Sequence, residues 1–191
     1  MNPEKISLKS DDALIVVDVQ NDFCPGGALP IPRGDEVVPV ANAWMRTAVA
    51  AGIPVYFSRD FHPREHPSFE EQGGPWPQHC IQDTRGAEFH PELMVPDTAR
   101  IVTKGVRFDK DQNSVFEETG LARRLERDGT SRLVVLGLAL DVCVRASVLD
   151  GLGAGFELAV VLDGCRAVTE ESGRETIEEL EGAGANCISG A

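Results

Sequence analysis

Four side chains able to do acid, base or nucleophilic work stand where continuous apolar runs stop. Asp18 follows the run at residues 13–17, Asp60 the run at 53–57, Lys104 the run at 99–102, and Cys143 lies just beyond the run at 132–136. In an open α/β sheet, ligands bind beyond the carboxyl ends of the strands, so these four groups are expected along one edge. A thiol, a carboxylate and an ammonium held together can do acyl chemistry. The thiol attacks, and the carboxylate takes its proton and returns it to a departing amine. Cys143 falls where a helical pattern begins, so free N–H groups and the helix dipole are expected to favour its thiolate. Lys104 is expected to lower the thiol pKa further. No histidine stands at a strand end, which disfavours a Cys-His arrangement.

A second constellation is rich in histidine. Three of the four histidines fall close together: His62 in Asp60-Phe61-His62, then His66, then His79 in Trp76-Pro77-Gln78-His79. Asp-x-His spacing lets a carboxylate and an imidazole turn to one point, leaving positions open for water or substrate. Such a set suits one divalent ion: Zn²⁺, Fe²⁺ or Mn²⁺. His90, in Ala87-Glu88-Phe89-His90-Pro91, reads as structural.

The elements that must position these groups alternate along the chain. Strands are expected at residues 13–17, 53–57, 99–102, 132–136 and 157–162, with a short sixth at 185–188. They are unbroken aliphatic runs, as in a sheet covered on both faces. Amphipathic stretches at 36–51, 116–127, 141–152 and 170–182 predict helices between them. Strand and helix taking turns points to an α/β three-layer sandwich: a mostly parallel six-stranded sheet flanked by helices. Residues 60–98 break the rhythm with prolines, glycines and polar residues, as functional loops do. A single domain over 1–191 is expected, with no repeat or linker.

Composition narrows the function classes. A net charge of −13 argues against a nucleic-acid partner. No apolar run approaches the roughly 18 residues needed to cross a bilayer. The N-terminal MNPEKISLKSDD lacks a basic-then-apolar signal pattern, so a cytoplasmic protein with a small-molecule substrate, possible as a homo-oligomer, is expected. Five cysteines without paired spacing predict reduced thiols rather than a disulfide framework.

Five segments occur in a telling order: Asp18-Val19-Gln20-Asn21-Asp22-Phe23-Cys24, Asp60-Phe61-His62-Pro63, Trp76-Pro77-Gln78-His79-Cys80, Lys104-Gly105 and Gly137-Leu138-Ala139-Leu140-Asp141-Val142-Cys143-Val144. Together they resemble the nicotinamidase/pyrazinamidase group of the isochorismatase-like cysteine hydrolase superfamily, over residues 13–188. The resemblance implies that Asp18, Lys104 and Cys143 form a catalytic triad, and that Asp60, His62 and His79, with His66 as a fourth, hold the metal. It implies that Phe23 and Trp76 sandwich a pyridine ring. It also implies a cis peptide before Ala139, which aims the N–H of Ala139, with that of Cys143, at an oxyanion. The expected reaction converts nicotinamide to nicotinate and ammonia through a thioester, as in NAD salvage.

One departure stands out. Many members of the group carry a Tyr-Ser pair after the Lys-Gly motif, and here Asn113-Ser114 occupies that place. The sole tyrosine, Tyr56, lies in the second strand and cannot substitute. Two rivals are weighed against this reading. An amidohydrolase acting on carbamoyl or ureido groups is disfavoured, because such relatives generally lack the Asp-x-His and Trp-Pro-x-His set. A non-catalytic metal- or ligand-binding domain is disfavoured because a pure binder gains nothing from the Asp, Lys and Cys together.

Overall fold

The computed structural model describes residues 6–189. Six strands form one all-parallel sheet in the order β3-β2-β1-β4-β5-β6. They are β1 (Asp12–Val17), β2 (Val55–Asp60), β3 (Arg100–Lys104), β4 (Arg132–Leu138), β5 (Glu157–Arg166) and β6 (Asn186–Ile188). Every residue of β1 is buried, as a central strand covered on both faces requires. At its start Asp12 sits opposite Arg132 of β4 and pairs with that guanidinium at 2.6 Å, which pins the register of the two central strands.

Helices α1 (Val37–Ala51), α2 (Leu121–Arg127), α3 (Arg145–Gly153) and α4 (Glu170–Gly182) connect the strands. For this strand order the right-handed rule for parallel crossovers puts α1 on one face and α2 to α4 on the other, in keeping with the expected three layers. Helix α4 opens on a capping box in which Thr169 and Ser172 satisfy each other's backbone N–H groups. Among the described residues no helix is long and apolar enough to cross a membrane.

Most strands shift by one to four residues from expectation, and three boundaries have a clear local cause. Strand β2 begins at Val55 and runs on to Asp60, because Pro54 has no N–H for the ladder. The stretch at 116–127 is helical only from Leu121. Glu118 and Gly120 adopt left-handed φ of 58° and 76°, which breaks the turn that Phe116 would have begun. The stretch at 141–152 starts as a π turn at Leu140–Val144, in which Val144 N–H reaches back to Ala139 O, and becomes α-helical only at Arg145.

Candidate active site

The crevice lies where strand order reverses, between the carboxyl ends of β1 and β4. Asp18 follows β1 directly, with φ 48° and no solvent exposure. Its backbone N–H and its Oδ1 are both held by Ser58 of β2, the carboxylate oxygen accepting from Ser58 Oγ at 2.7 Å. Lys104 ends β3 and is also fully buried. Its Nζ lies 2.8 Å from Asp18 Oδ2, donates to Asp60 Oδ1 at 2.6 Å, and stands 3.4 Å from Cys143 Sγ. The approach to Asp18 Oδ2 is an ion pair without hydrogen-bond alignment, so that oxygen keeps an open lone pair. Cys143 projects from the π turn. The four groups expected along one sheet edge therefore meet around a single ammonium.

Burial and mutual charge set their proton affinities. Burial pushes Asp18 above the usual carboxylate range, with Lys104 pulling back and Asp60 pushing up again. Burial would raise Asp60 as well, but the Lys104 and His62 charges outweigh it and hold the carboxyl low. Burial alone would lower Lys104, yet the facing carboxylates raise it well above its ordinary value. The expectation for Cys143 is corrected. Lys104 does pull its pKa down, but desolvation together with Asp18 and Asp60 pushes it well above the ordinary thiol value. One ammonium shared between two carboxylates has less to offer a third anion, and the balance at the sulfur favours the thiol form over the thiolate.

The histidines come together beside this group. Ring centroids of His62 and His66 are 4.0 Å apart, and those of His62 and His79 are 4.9 Å apart. Ligand atoms of Asp60, His62 and His79 all lie within 4.8 Å of one another. His62 Nδ1 donates to Gly105 O and His79 Nδ1 to Pro77 O, each at 2.8 Å, which leaves both Nε2 lone pairs free. His66 Nδ1 pairs with Ser68 Oγ at 2.7 Å, and its buried Nε2 has no partner. Burial, then the charge of His62, lowers His66 to about 4, so it is neutral near pH 7. Burial lowers His79 too. Imidazoles whose Nδ1 is anchored on oxygen can present Nε2 to a divalent cation, so the residues fit a metal site. His90 stands apart in a surface turn, accepting from Glu92 N–H.

A narrow cavity of ≈ 70 Å³ reaches these groups, with Phe23, Trp76 and Asn113 in its wall beside Ala139, Cys143, Asp60, His62 and His79. The peptide Leu138-Ala139 is cis. Asn113 Oδ1 lies 4.0 Å from Cys143 Sγ, and Tyr56 is buried away in β2 with its hydroxyl on Arg100. All five cysteines are free.

Several supporting residues have no role legible in the sequence, although Gln20 and Asp22 lie inside the first of the five segments. Ser58 shares a strand face with Asp60, two residues on, and that alternation is the available signal. Gln20 accepts from the N–H of Asp60 and donates to its C=O, both at 2.8 Å, so it clamps the backbone of that residue. Asp22 ties the Phe23 loop to the His79 loop by accepting from Ala28 N–H at 3.0 Å and Cys80 N–H at 2.7 Å. Phe69, fully buried, sets its ring 5.5–5.7 Å from all three imidazoles as an apolar floor.

Comparison with known proteins agrees with this geometry. The isochorismatase domain family matches residues 12–191. The chain is 37% identical to the nicotinamidase of Escherichia coli (strain K12), over 91% of this chain and 92% of the relative. A crystal structure of the pyrazinamidase of Pyrococcus horikoshii in complex with zinc superposes with TM-score 0.91 at 42% identity, covering 94% of this chain and 99% of the other. That of PnC1 from L. infantum in complex with nicotinate superposes with TM-score 0.89 at 32% identity, covering 96% of each chain.

Proposed function

This chain belongs to the isochorismatase domain family, and on that premise we infer that it is a nicotinamidase, hydrolysing nicotinamide to nicotinate and ammonia. The observation that carries the reading is the buried Lys104, within 3.4 Å of Asp18, Asp60 and Cys143 at once, beside three clustered imidazoles.

Cys143 is the nucleophile. As Sγ attacks the carboxamide carbon, its proton passes to the open Oδ2 of Asp18, whose raised proton affinity suits it to the task. The backbone N–H groups of Ala139 and Cys143 form the oxyanion hole. Protonated Asp18 then gives its proton to the leaving nitrogen, the C–N bond breaks, and ammonia departs from a thioester. Asp18 next takes a proton from water, the resulting hydroxide attacks the thioester, and the proton returns to sulfur as nicotinate leaves. Lys104 stays charged throughout and keeps the carboxylates in place.

Asp60, His62 and His79 would hold one divalent ion, with His66 beside His62 as a fourth donor and Zn²⁺, Fe²⁺ and Mn²⁺ as the candidates. When bound, the ion supplies a Lewis-acid anchor for the pyridine nitrogen, directly or through water. Phe23 and Trp76 receive the ring in the cavity wall. This pairing of aromatic walls and imidazoles supports a heteroaromatic amide over a carbamoyl or ureido substrate. The free thiols support a reducing cytoplasm, and the charge of −13 supports function without nucleic acid. One hydrolase domain over residues 1–191 completes the proposal.

The test is ammonia release from nicotinamide, pyrazinamide and a ureido acid, before and after thiol alkylation, on protein reconstituted with each metal. Release from nicotinamide and pyrazinamide that alkylation abolishes is expected. Faster turnover of the ureido acid, or turnover insensitive to alkylation, overturns the assignment.

A further inference from the structure

Beyond the Asp60 set, a second carboxylate faces the same imidazoles. Asp111 stands in the cavity wall on the loop after β3, its side chain 30% exposed and its Oδ1 4.0 Å from the unpartnered, fully buried Nε2 of His66. Ligand atoms of Asp111, His66 and His62 all lie within 4.8 Å of one another. The loop is built to hold that carboxylate. Gln112 is buried, accepts from Val106 N–H at 3.3 Å and donates to Glu117 O at 2.8 Å, and its own N–H gives 2.8 Å to Asp111 Oδ1. Outside it, Lys110 pairs with Glu117 and Glu118, each at 2.9 Å. A ligating carboxylate is oriented by such a hydrogen bond, just as ligating imidazoles are by theirs.

We propose that Asp111 is a further residue of the metal site, available to the ion or its water beside His62 and His66 and selecting the kind of ion held. The inference rests on the metal-dependent reading above. Asp60 gives one oxygen to Lys104, so it has Oδ2 alone for the ion. Asp111 has no cation among the described residues and can give its charge to the site undivided. Two carboxylates balance a divalent charge, and the added oxygen hardens a donor set of imidazoles. Oxygen-rich sets with more positions suit Mn²⁺, whereas Zn²⁺ is content with fewer ligands.

The test is metal affinity on the full chain, measured by competition with a chromophoric chelator for Mn²⁺ and for Zn²⁺. Wild type, Asp111→Asn, Asp111→Glu and Asp60→Asn are compared, with apo urea unfolding as a check on folding. Asp111→Asn is expected to weaken Mn²⁺ by about 10–100-fold and Zn²⁺ by less, with apo stability unchanged. Asp111→Glu, which keeps the charge, is expected to restore most of the Mn²⁺ affinity. Wild-type affinity for both ions in Asp111→Asn, with Asp60→Asn still weakened, overturns this inference alone. Equal weakening for both ions, unrescued by Asp111→Glu, assigns Asp111 a structural role and also overturns it. Failure of wild type itself to bind either ion overturns the metal reading with it.

Discussion

Gly105 offers a direct way to separate backbone cost from damage to the metal site. It follows Lys104 with φ +66°, and its C=O accepts from His62 Nδ1 at 2.8 Å. A Cβ there would stand 2.4 Å from His62 Cε1 and 2.6 Å from Nδ1, where ordinary contact begins at 3.4 Å. Gly105→Ala therefore carries two penalties. The left-handed backbone costs about 1–2 kcal/mol in any L-residue. The imidazole must also retreat by roughly 1 Å, which a metal site tolerant of about 0.2 Å cannot absorb. Losing an oriented ligand costs about 10–100-fold in metal affinity, or roughly 1.4–2.8 kcal/mol. Gly52, which ends α1 at φ +70° with nothing within 4 Å of where a methyl would stand, is the control. Gly52→Ala should lose only the backbone share and keep full metal affinity. Urea unfolding of the apo proteins reads the first penalty, and chelator competition reads the second. Gly105→Ala binding metal as tightly as wild type, with a stability loss equal to that of Gly52→Ala, would refute the reasoning.

Three further outcomes are expected of the site. Cys143→Ala should lose roughly 10⁴-fold or more in turnover while chelator competition returns wild-type metal affinity; substantial residual turnover would remove the nucleophile assignment. Ser58→Ala strips a charge-assisted hydrogen bond from buried Asp18 and should cost about 1.5–3 kcal/mol in urea unfolding; a loss below about 0.5 kcal/mol would mean the hydroxyl does not hold the carboxylate. His66 titrates near 4 in the fold against an ordinary 6.5, so the unfolded chain takes the proton first and apo stability should fall as pH drops from 6.5 toward 4. His66→Gln should flatten that slope, and an unchanged slope would count against the burial of a neutral ring.

Much of the fold and site is legible in residue patterns. Apolar runs locate the four inner strands, because a doubly covered sheet leaves no alternation to misread, while the edge strands β3 and β6 carry Arg100 and Asn186 within shorter apolar stretches. The residues just past the strand ends then include Asp18, Asp60, Lys104 and Cys143, found without reference to any relative. The thiol's proton affinity is not legible in the same way, because strand ends place groups at an edge but do not count neighbours. The sequence pairs Lys104 with the sulfur, whereas in the fold both Asp18 and Asp60 reach the ammonium first. The π turn under Cys143 is invisible, since a widened turn and an α-helical one share the same apolar pattern over five residues. Phe69 looks like one more aromatic in an irregular loop, and only the folded loop turns it beneath the three imidazoles.

The ammonium that knits this site together comes from the outermost strand. β3 has a neighbour on one side only, and Ile101 within it is 44% exposed. Border strands open at a lower free energy than the middle of a sheet. Each such fraying event would withdraw Lys104 and leave Asp18 and Asp60 facing each other as like charges. Catalysis should accordingly fade in denaturant at concentrations that leave the central strands intact: this enzyme falls silent before it melts.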